Sequence, residues 1–147
     1  MGGRENLKMK IYLASPWFKE NEKKLYKEVI DKLRADGFEV YVPMEHKIED
    51  EWLMTNEEWG KSVFNEDLKA IQECDEVWVL NFGLYSDSGT AWECGYAYGL
   101  KKRVFMFVND YDKENVYSLM MANGCTKVEN ISTLLTDNYS PLNIEVK

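Results

Sequence analysis

Two hydrophobic periods take turns along this chain, one of two residues and one of about 3.6. Lys8 to Ala14 carries Met9, Ile11 and Leu13 at alternate positions and predicts a first strand. Ser15-Pro16-Trp17-Phe18 follows as a loop, because Pro16 cannot continue sheet pairing. Glu20 to Asp36 switches period: Leu25, Val29, Ile30 and Leu33 share a helical face, and Gly37 is a fitting stop. Phe38 to Val42 alternates again and predicts a second strand, followed by an acidic loop, Pro43 to Met54, with His46 and Trp52. Thr55 to Glu73 predicts a long helix whose apolar face holds Trp59, Val63, Phe64, Leu68 and Ile71. Glu76 to Asn81 predicts a third strand around the apolar run Val77-Trp78-Val79-Leu80. Ser86, Asp87 and Ser88 are turn and N-cap residues, and a helix runs from Gly89 to about Lys101. Along it Ala91, Gly95 and Gly99 recur every four residues, a small stripe expected to lie close against a sheet. Arg103 to Val108 is nearly all apolar and predicts a strand buried on both faces. Beyond a charged loop, Asn109 to Asn115, the pattern weakens. It predicts a short helix from Tyr117 to Ala122 ending at Asn123-Gly124, and a fifth strand from Cys125 to Glu129. A short helix from Ile131 to Leu135 and a tail from Ser140 to Lys147 complete the chain.

Strands that alternate with helices predict a parallel sheet covered on both faces. The expected fold class is therefore α/β, a flavodoxin-like or Rossmann-like three-layer sandwich with a five-stranded, mainly parallel sheet. A length of 147 residues suits one domain, residues 8–147, behind a polar lead-in at 1–7. Such a chain buries about 68–70% of its unfolded surface, enough for a substantial core.

Composition narrows the chemistry. The net charge of −8 argues against a nucleic acid polymer as partner, since phosphate contacts need a basic patch. A neutral nucleoside is not excluded. No apolar run reaches the length of a membrane span, so no membrane partner is expected. The cysteines, Cys74, Cys94 and Cys125, are three in number and widely spaced. They point to buried thiols in a reducing cytoplasm rather than to disulfides or a metal site. His46 is the only histidine, which leaves acid–base work to carboxylates and makes Ser-His triads or His-based metal sites untenable. Neither G-x-G-x-x-G after the first strand nor a Walker lysine is present, so no phosphate-cradling loop, and no cofactor or metal, is expected. Five Trp and nine Tyr exceed what a core of this size needs, and flat rings suit flat ligands.

The candidate chemistry collects where strands end and helices begin. Glu93 lies one turn into the helix after the third strand, where the helix N-terminus favours a carboxylate, and Asp87 stands just before that helix. Asp67 lies between Phe64, Leu68 and Ile71, close to the apolar stripe, and eight residues from Trp59 on nearly the same face. The first strand and its loop add Tyr12, Ser15, Trp17 and Phe18. Aromatic walls with three carboxylates suit glycosidic bond chemistry. One carboxylate attacks the anomeric carbon while a second acid protonates the leaving group, about 5–5.5 Å away in retaining enzymes. The structural alternatives are equally plain: a capped helix with a solvated glutamate, a core tyrosine, core tryptophans, a solvated Asp67. Cys94 points about 100° away from Glu93 on the helix and reads as packing.

With those residues in hand, the chain resembles the nucleoside 2-deoxyribosyltransferase family over nearly all of its length from Lys8. The resemblance is carried by Ile11-Tyr12-Leu13-Ala14 with Trp17-Phe18, by Trp59, and by Asn65-Glu66-Asp67-Leu68 with Ile71. It is carried further by Asp87-x-Gly89-Thr90-Ala91-x-Glu93-x-Gly95-Tyr96-Ala97 and by Ser118-Leu119-Met120. It implies Glu93 as the nucleophile of a covalent deoxyribosyl intermediate, and Tyr12 as the hydroxyl that positions it. It implies Asp67 as the acid that engages the base, Asp87 as the reader of the sugar 5′-hydroxyl, and Trp17 and Trp59 as walls of the base pocket. Gly89 belongs to the same motif, and Phe18 to the first loop. Ser118 and Met120 match positions that reach a neighbouring subunit's site, so a homo-oligomer, often a hexamer in the family, is expected. The implied partners are a 2′-deoxynucleoside and a free purine or pyrimidine base.

Two departures keep a rival open. Ser118 stands where several transferases carry Asn, and Ala14-Ser15-Pro16 is less Gly-rich than the usual first loop. Related nucleoside 5′-monophosphate N-glycosidases place serines around a phosphate, and Ser15 and Ser118 resemble two of them. Asp87 opposes that reading. A carboxylate about 4 Å from a phosphate charge costs roughly 4 kcal/mol at an effective dielectric of 20. A third reading, a nucleotide-sensing module without catalysis, leaves the retained Glu93 and Asp67 unexplained.

Overall fold

The computed structural model describes residues 8–15, 20–46, 48–82, 87–109 and 117–136. Among these residues five strands form one sheet: β1 (Lys10–Ala14), β2 (Glu39–Tyr41), β3 (Glu76–Asn81), β4 (Arg103–Val108) and β5 (Lys127–Asn130). Their order is β2-β1-β3-β4-β5 and every neighbouring pair is parallel. This is the flavodoxin-like order, whose ligand crevice lies beyond the C-terminal strand ends where the order reverses, between β1 and β3. The expected α/β architecture is thus observed, with a sheet that is parallel throughout.

Among the described residues four helices cover it: α1 (Glu20–Ala35), α2 (Asn56–Glu73), α3 (Ser88–Gly99) and α4 (Leu119–Gly124). Strand alternation divides the core in two. On one face Ile11, Leu13, Trp78, Leu80, Phe105 and Phe107 meet Tyr26, Val29 and Leu33 of α1, together with Ile131 and Leu134 of a closing 3₁₀ turn, Ile131–Leu135. On the other face Tyr12, Ala14, Val77, Val79, Val104 and Met106 meet Ile71 of α2, Cys94 and Ala97 of α3, and Ala122 of α4. Even-numbered positions of β1 therefore look toward α2 and α3, which puts Tyr12 on the side of Asp67 and Glu93.

Local signals set the helix ends. Thr55 caps α2 in a reciprocal box, its hydroxyl accepting from Glu58 N while the Glu58 carboxylate accepts from Thr55 N. Asp87 caps α3 by accepting from the amides of Gly89 (3.1 Å) and Thr90 (3.3 Å). A Cβ at position 89 would stand 3.0 Å from the accepting Asp87 oxygen, so Gly89 gives that cap its room. Ser118 caps α4.

Two packing expectations are corrected. The small stripe does not face the sheet: α3 buries Thr90, Cys94 and Ala97, while Gly95 and Gly99 are exposed. The β-branched and thiol side chains fill the sheet contact better, leaving the small residues outward. The apolar face of α2 is also not core. Ile71 alone is buried there, and Trp59, Val63, Phe64 and Leu68 remain partly exposed because they wall a cavity. The loop Pro43 to Met54 contains two 3₁₀ turns, Pro43–Glu45 and Glu51–Leu53. The expected lead-in at 1–7, Ser86, most of the charged loop after Asn109 and the tail from Ser140 lie outside the described residues.

Candidate functional site

A cavity of about 540 Å³ opens between α2 and α3. Asp67 and Glu93 both line it, from facing helices, with Trp59 and Phe64 of α2 and Trp92 of α3 as aromatic walls. Phe64 meets Trp92 edge-on at a centroid distance of 5.3 Å, and Trp92 stacks on Tyr96 at 5.4 Å. These ring contacts join the wall into one continuous apolar surface. Trp59 is 42% exposed and its indole donates to Glu51 at 3.2 Å, so it is a rim residue and not a core one.

The floor comes from the sheet. Tyr12 lies at the middle of β1 rather than at its end, completely buried, in register with Tyr41 of β2 and Val77 of β3. Its length carries the hydroxyl up to Glu93, where it donates to Oε2. Tyr41 stacks on Tyr12 (5.4 Å, 14°) and its hydroxyl meets Oδ1 of Asp67 at 3.4 Å. His46 stacks on the far side of Tyr41 (4.1 Å, 11°).

Burial dominates the electrostatics. It pushes Glu93 up to about 7, against the hydrogen bond from Tyr12, and the charges of Asp67 and Asp87 add to the rise. It pushes Asp67 up to about 6, opposed by Tyr41 and His46 and reinforced by Glu66. Burial and the neighbouring Glu93 also raise the Tyr12 phenol well above its ordinary value, so Tyr12 remains a donor. Two coupled carboxyls that lose protons near neutrality can supply one nucleophile and one acid at the same pH.

The other expected residues are placed as follows. Asp87 lies at the N-terminus of α3, close enough to Glu93 to raise its proton affinity. One of its carboxylate oxygens makes both cap bonds. Gly89 lines the cavity beside it. Ser15 lies at the end of β1 against Tyr26 of α1, whose phenol is pushed up to about 12 by burial and pulled back by the Ser15 hydroxyl. Ser118 and Met120 are not brought to this cavity within the chain: Ser118 accepts from Met121 N, and Met120, 85% exposed, borders a separate groove between α3 and α4. Trp17 and Phe18 lie outside the described residues.

Sequence reasoning missed Tyr41 and Trp92. Tyr41 occupies an ordinary alternating strand position, and only its register with Tyr12 brings it to Asp67. Trp92 was announced solely by the surplus of tryptophan. Cys94 packs against the sheet as expected, buried and with its thiol pushed up by that burial.

Comparison with known proteins agrees with the geometry. The family model described as nucleoside 2-deoxyribosyltransferase matches residues 11–141. The nucleoside deoxyribosyltransferase of Lactobacillus leichmannii is 26% identical over 143 residues, covering 90% of this chain and 91% of that protein. Among solved structures, a 2-deoxyribosyltransferase from Bacillus psychrosaccharolyticus superposes with a TM-score of 0.76 at 31% identity, covering 94% of this chain and 97% of the other. The CMP N-glycosidase BcmB of Clostridium botulinum superposes with a TM-score of 0.55 at 25% identity, covering 82% and 85%. With the match spanning strands, both carboxylate-bearing helices and the tyrosine between them, this chain belongs to the nucleoside 2-deoxyribosyltransferase family of enzymes.

Proposed function

We propose that this enzyme exchanges the base of a 2′-deoxynucleoside for a free purine or pyrimidine through a covalent intermediate on Glu93, with retention of configuration. The observation that carries the reading is the Tyr12–Glu93 hydrogen bond inside an aromatic cavity shared with Asp67. A carboxylate oxygen of Glu93 attacks C1′ of the sugar. The C1′–N bond breaks, its electron pair stays on the base nitrogen, and Asp67 supplies that nitrogen with a proton. A second base then attacks C1′ from the same side, returning a proton to Asp67 and freeing the Glu93 carboxylate. Of the two singly protonated arrangements of the carboxyl pair, only the one with the proton on Asp67 is productive.

The missing 2′-hydroxyl of the substrate helps, because its electron withdrawal would destabilise an oxocarbenium-like transition state. Asp87 keeps one carboxylate oxygen beyond its cap bonds for the 5′-hydroxyl, Trp59 shares the holding of the base with Trp17 and Phe18, to which the family resemblance gives that role, and the aromatic walls limit water. Slow attack by water in place of the second base gives hydrolysis. Leu119 and Met120 on α4, with the outward small stripe of α3, support a homo-oligomer in which Ser118 and Met120 complete a neighbour's site. Three free cysteines fit a reducing cytoplasm.

A second reading, hydrolysis of a 2′-deoxynucleoside 5′-monophosphate, is favoured by the similarity to the CMP N-glycosidase. It is weakened by Asp87, whose charge opposes a phosphate, and by the caps and contacts that already occupy Ser15 and Ser118. The test is a deoxynucleoside and its 5′-monophosphate, each assayed with and without a second base. Exchange with the uncharged substrate is expected. Strong preference for the monophosphate, with hydrolysis alone, would reverse the ranking.

A further inference from the structure

We propose that Tyr41 is a positioning residue for Asp67, forming with Tyr12 a stacked pair in which each hydroxyl serves one carboxyl of the site. The inference rests on the reading of Glu93 as nucleophile and Asp67 as acid, and adds a residue to it.

Tyr12 and Tyr41 are register partners on adjacent parallel strands, their rings 5.4 Å apart and 14° from parallel. The stack turns both hydroxyls toward the same helical layer. Tyr12 donates to Glu93 of α3, and Tyr41 to Asp67 of α2. His46 covers the outer face of Tyr41 at 4.1 Å, so the ring lies between two others and has little freedom to turn away. At 3.4 Å the Tyr41–Asp67 contact is long, as catalytic hydrogen bonds are before substrate tightens a site.

The consequence is electrostatic. Asp67 is faced by Glu66 on its own helix, Glu93 from α3, Tyr12 from β1, Tyr41 from β2 and His46 from the turn after β2. Burial and the charge of Glu66 favour the protonated acid. Tyr41, itself raised above its ordinary value by burial and by Asp67 and therefore a donor, is the hydrogen-bonding counterweight. An acid that must give its proton to a departing base and take one back from the next needs that balance, because efficiency is greatest when its proton affinity lies near the working pH.

The experiment is Tyr41→Phe, which keeps the ring and the stack and removes the hydroxyl. Titration of the Asp67 carboxyl is followed by carbon NMR in the enzyme without substrate, with Asp67→Asn identifying the resonance. The midpoint is expected to rise by roughly 0.5–1 pH unit, the equivalent of one lost hydrogen bond. The acid limb of kcat/KM for base exchange, which the lower-titrating of the two carboxyls sets, should move in the same direction, with KM for the deoxynucleoside within about twofold. An unmoved Asp67 midpoint would overturn the inference. Because that midpoint is read without turnover, it stands apart from the underlying reading. That reading fails separately if the unmodified enzyme gives no deoxyribosyl adduct by mass spectrometry.

Discussion

The Tyr12 hydroxyl donates to Oε2 of Glu93 across 81 positions of sequence, tying the middle of β1 to the first turns of α3. Tyr12→Phe keeps the buried ring and its stack on Tyr41 while removing the donor. Turnover in base exchange should fall by about 100- to 1,000-fold, the range of one preorganised donor. The sign of the pH effect follows from the hydrogen bond, which favours ionised Glu93. Without it, the basic limb of kcat/KM, set by the higher-titrating Glu93, moves to higher pH. Steady-state kinetics across pH 5–9 on wild type and variant check both, and an unshifted limb would remove Tyr12 from the role.

Glu93 is held up to about 7 from an ordinary value of about 4.5, so its folded state keeps a proton that its unfolded state releases. A group raised in this way favours folding at pH below its unfolded value and loses that contribution as pH climbs toward 7. Glu93→Gln, neutral at every pH, should therefore be more stable than wild type at pH 8, by on the order of 1–3 kcal/mol. The advantage should vanish near pH 4.5. Thermal unfolding at both pH values is the measurement, and equal stability at pH 8 would mean that burial of the carboxylate costs nothing. The same variant should show no base exchange and no adduct.

Asp87 serves a helix cap and, in the proposed mechanism, the sugar's 5′ end. Two substitutions separate these. Asp87→Ala loses the cap to Gly89 and Thr90 and should cost about 1 kcal/mol of stability. Asp87→Asn keeps a good capping side chain, so its stability should stay within about 0.5 kcal/mol of wild type. It removes the charge, however, and should narrow the preference for deoxynucleoside over 5′-monophosphate by at least tenfold. A preference unchanged in Asp87→Asn would detach Asp87 from substrate choice.

Trp92 is half-exposed and stands between Phe64 and Tyr96 on the cavity wall. Trp92→Ala should raise KM for the acceptor base about tenfold through lost ring contact, with kcat within about threefold. Its Tm should change little, because the ring is not part of either core. A large fall in Tm with unchanged KM would make Trp92 a packing residue.

The pattern of apolar positions was enough to determine the layout, because it depends on local periods. The third and fourth strands, the capped start of α2 at Thr55 and the cap of α3 at Asp87 are all written in neighbouring residues. The carboxylates Asp67 and Glu93 were likewise legible, one by its apolar neighbours and one by its place near a helix N-terminus. What neighbours cannot state is which faces meet. The stripe Ala91, Gly95 and Gly99 invited a sheet contact, yet Thr90, Cys94 and Ala97 took it, since packing against the sheet is settled by volume across the whole layer. The apolar face of α2 became a cavity wall because α3 faces it across an open space, touching it through Trp92 and Phe64. Tyr41 carries no local signal at all. Only the parallel register of β1 and β2 sets it on Tyr12, and only the packing of α2 over that pair brings its hydroxyl to Asp67.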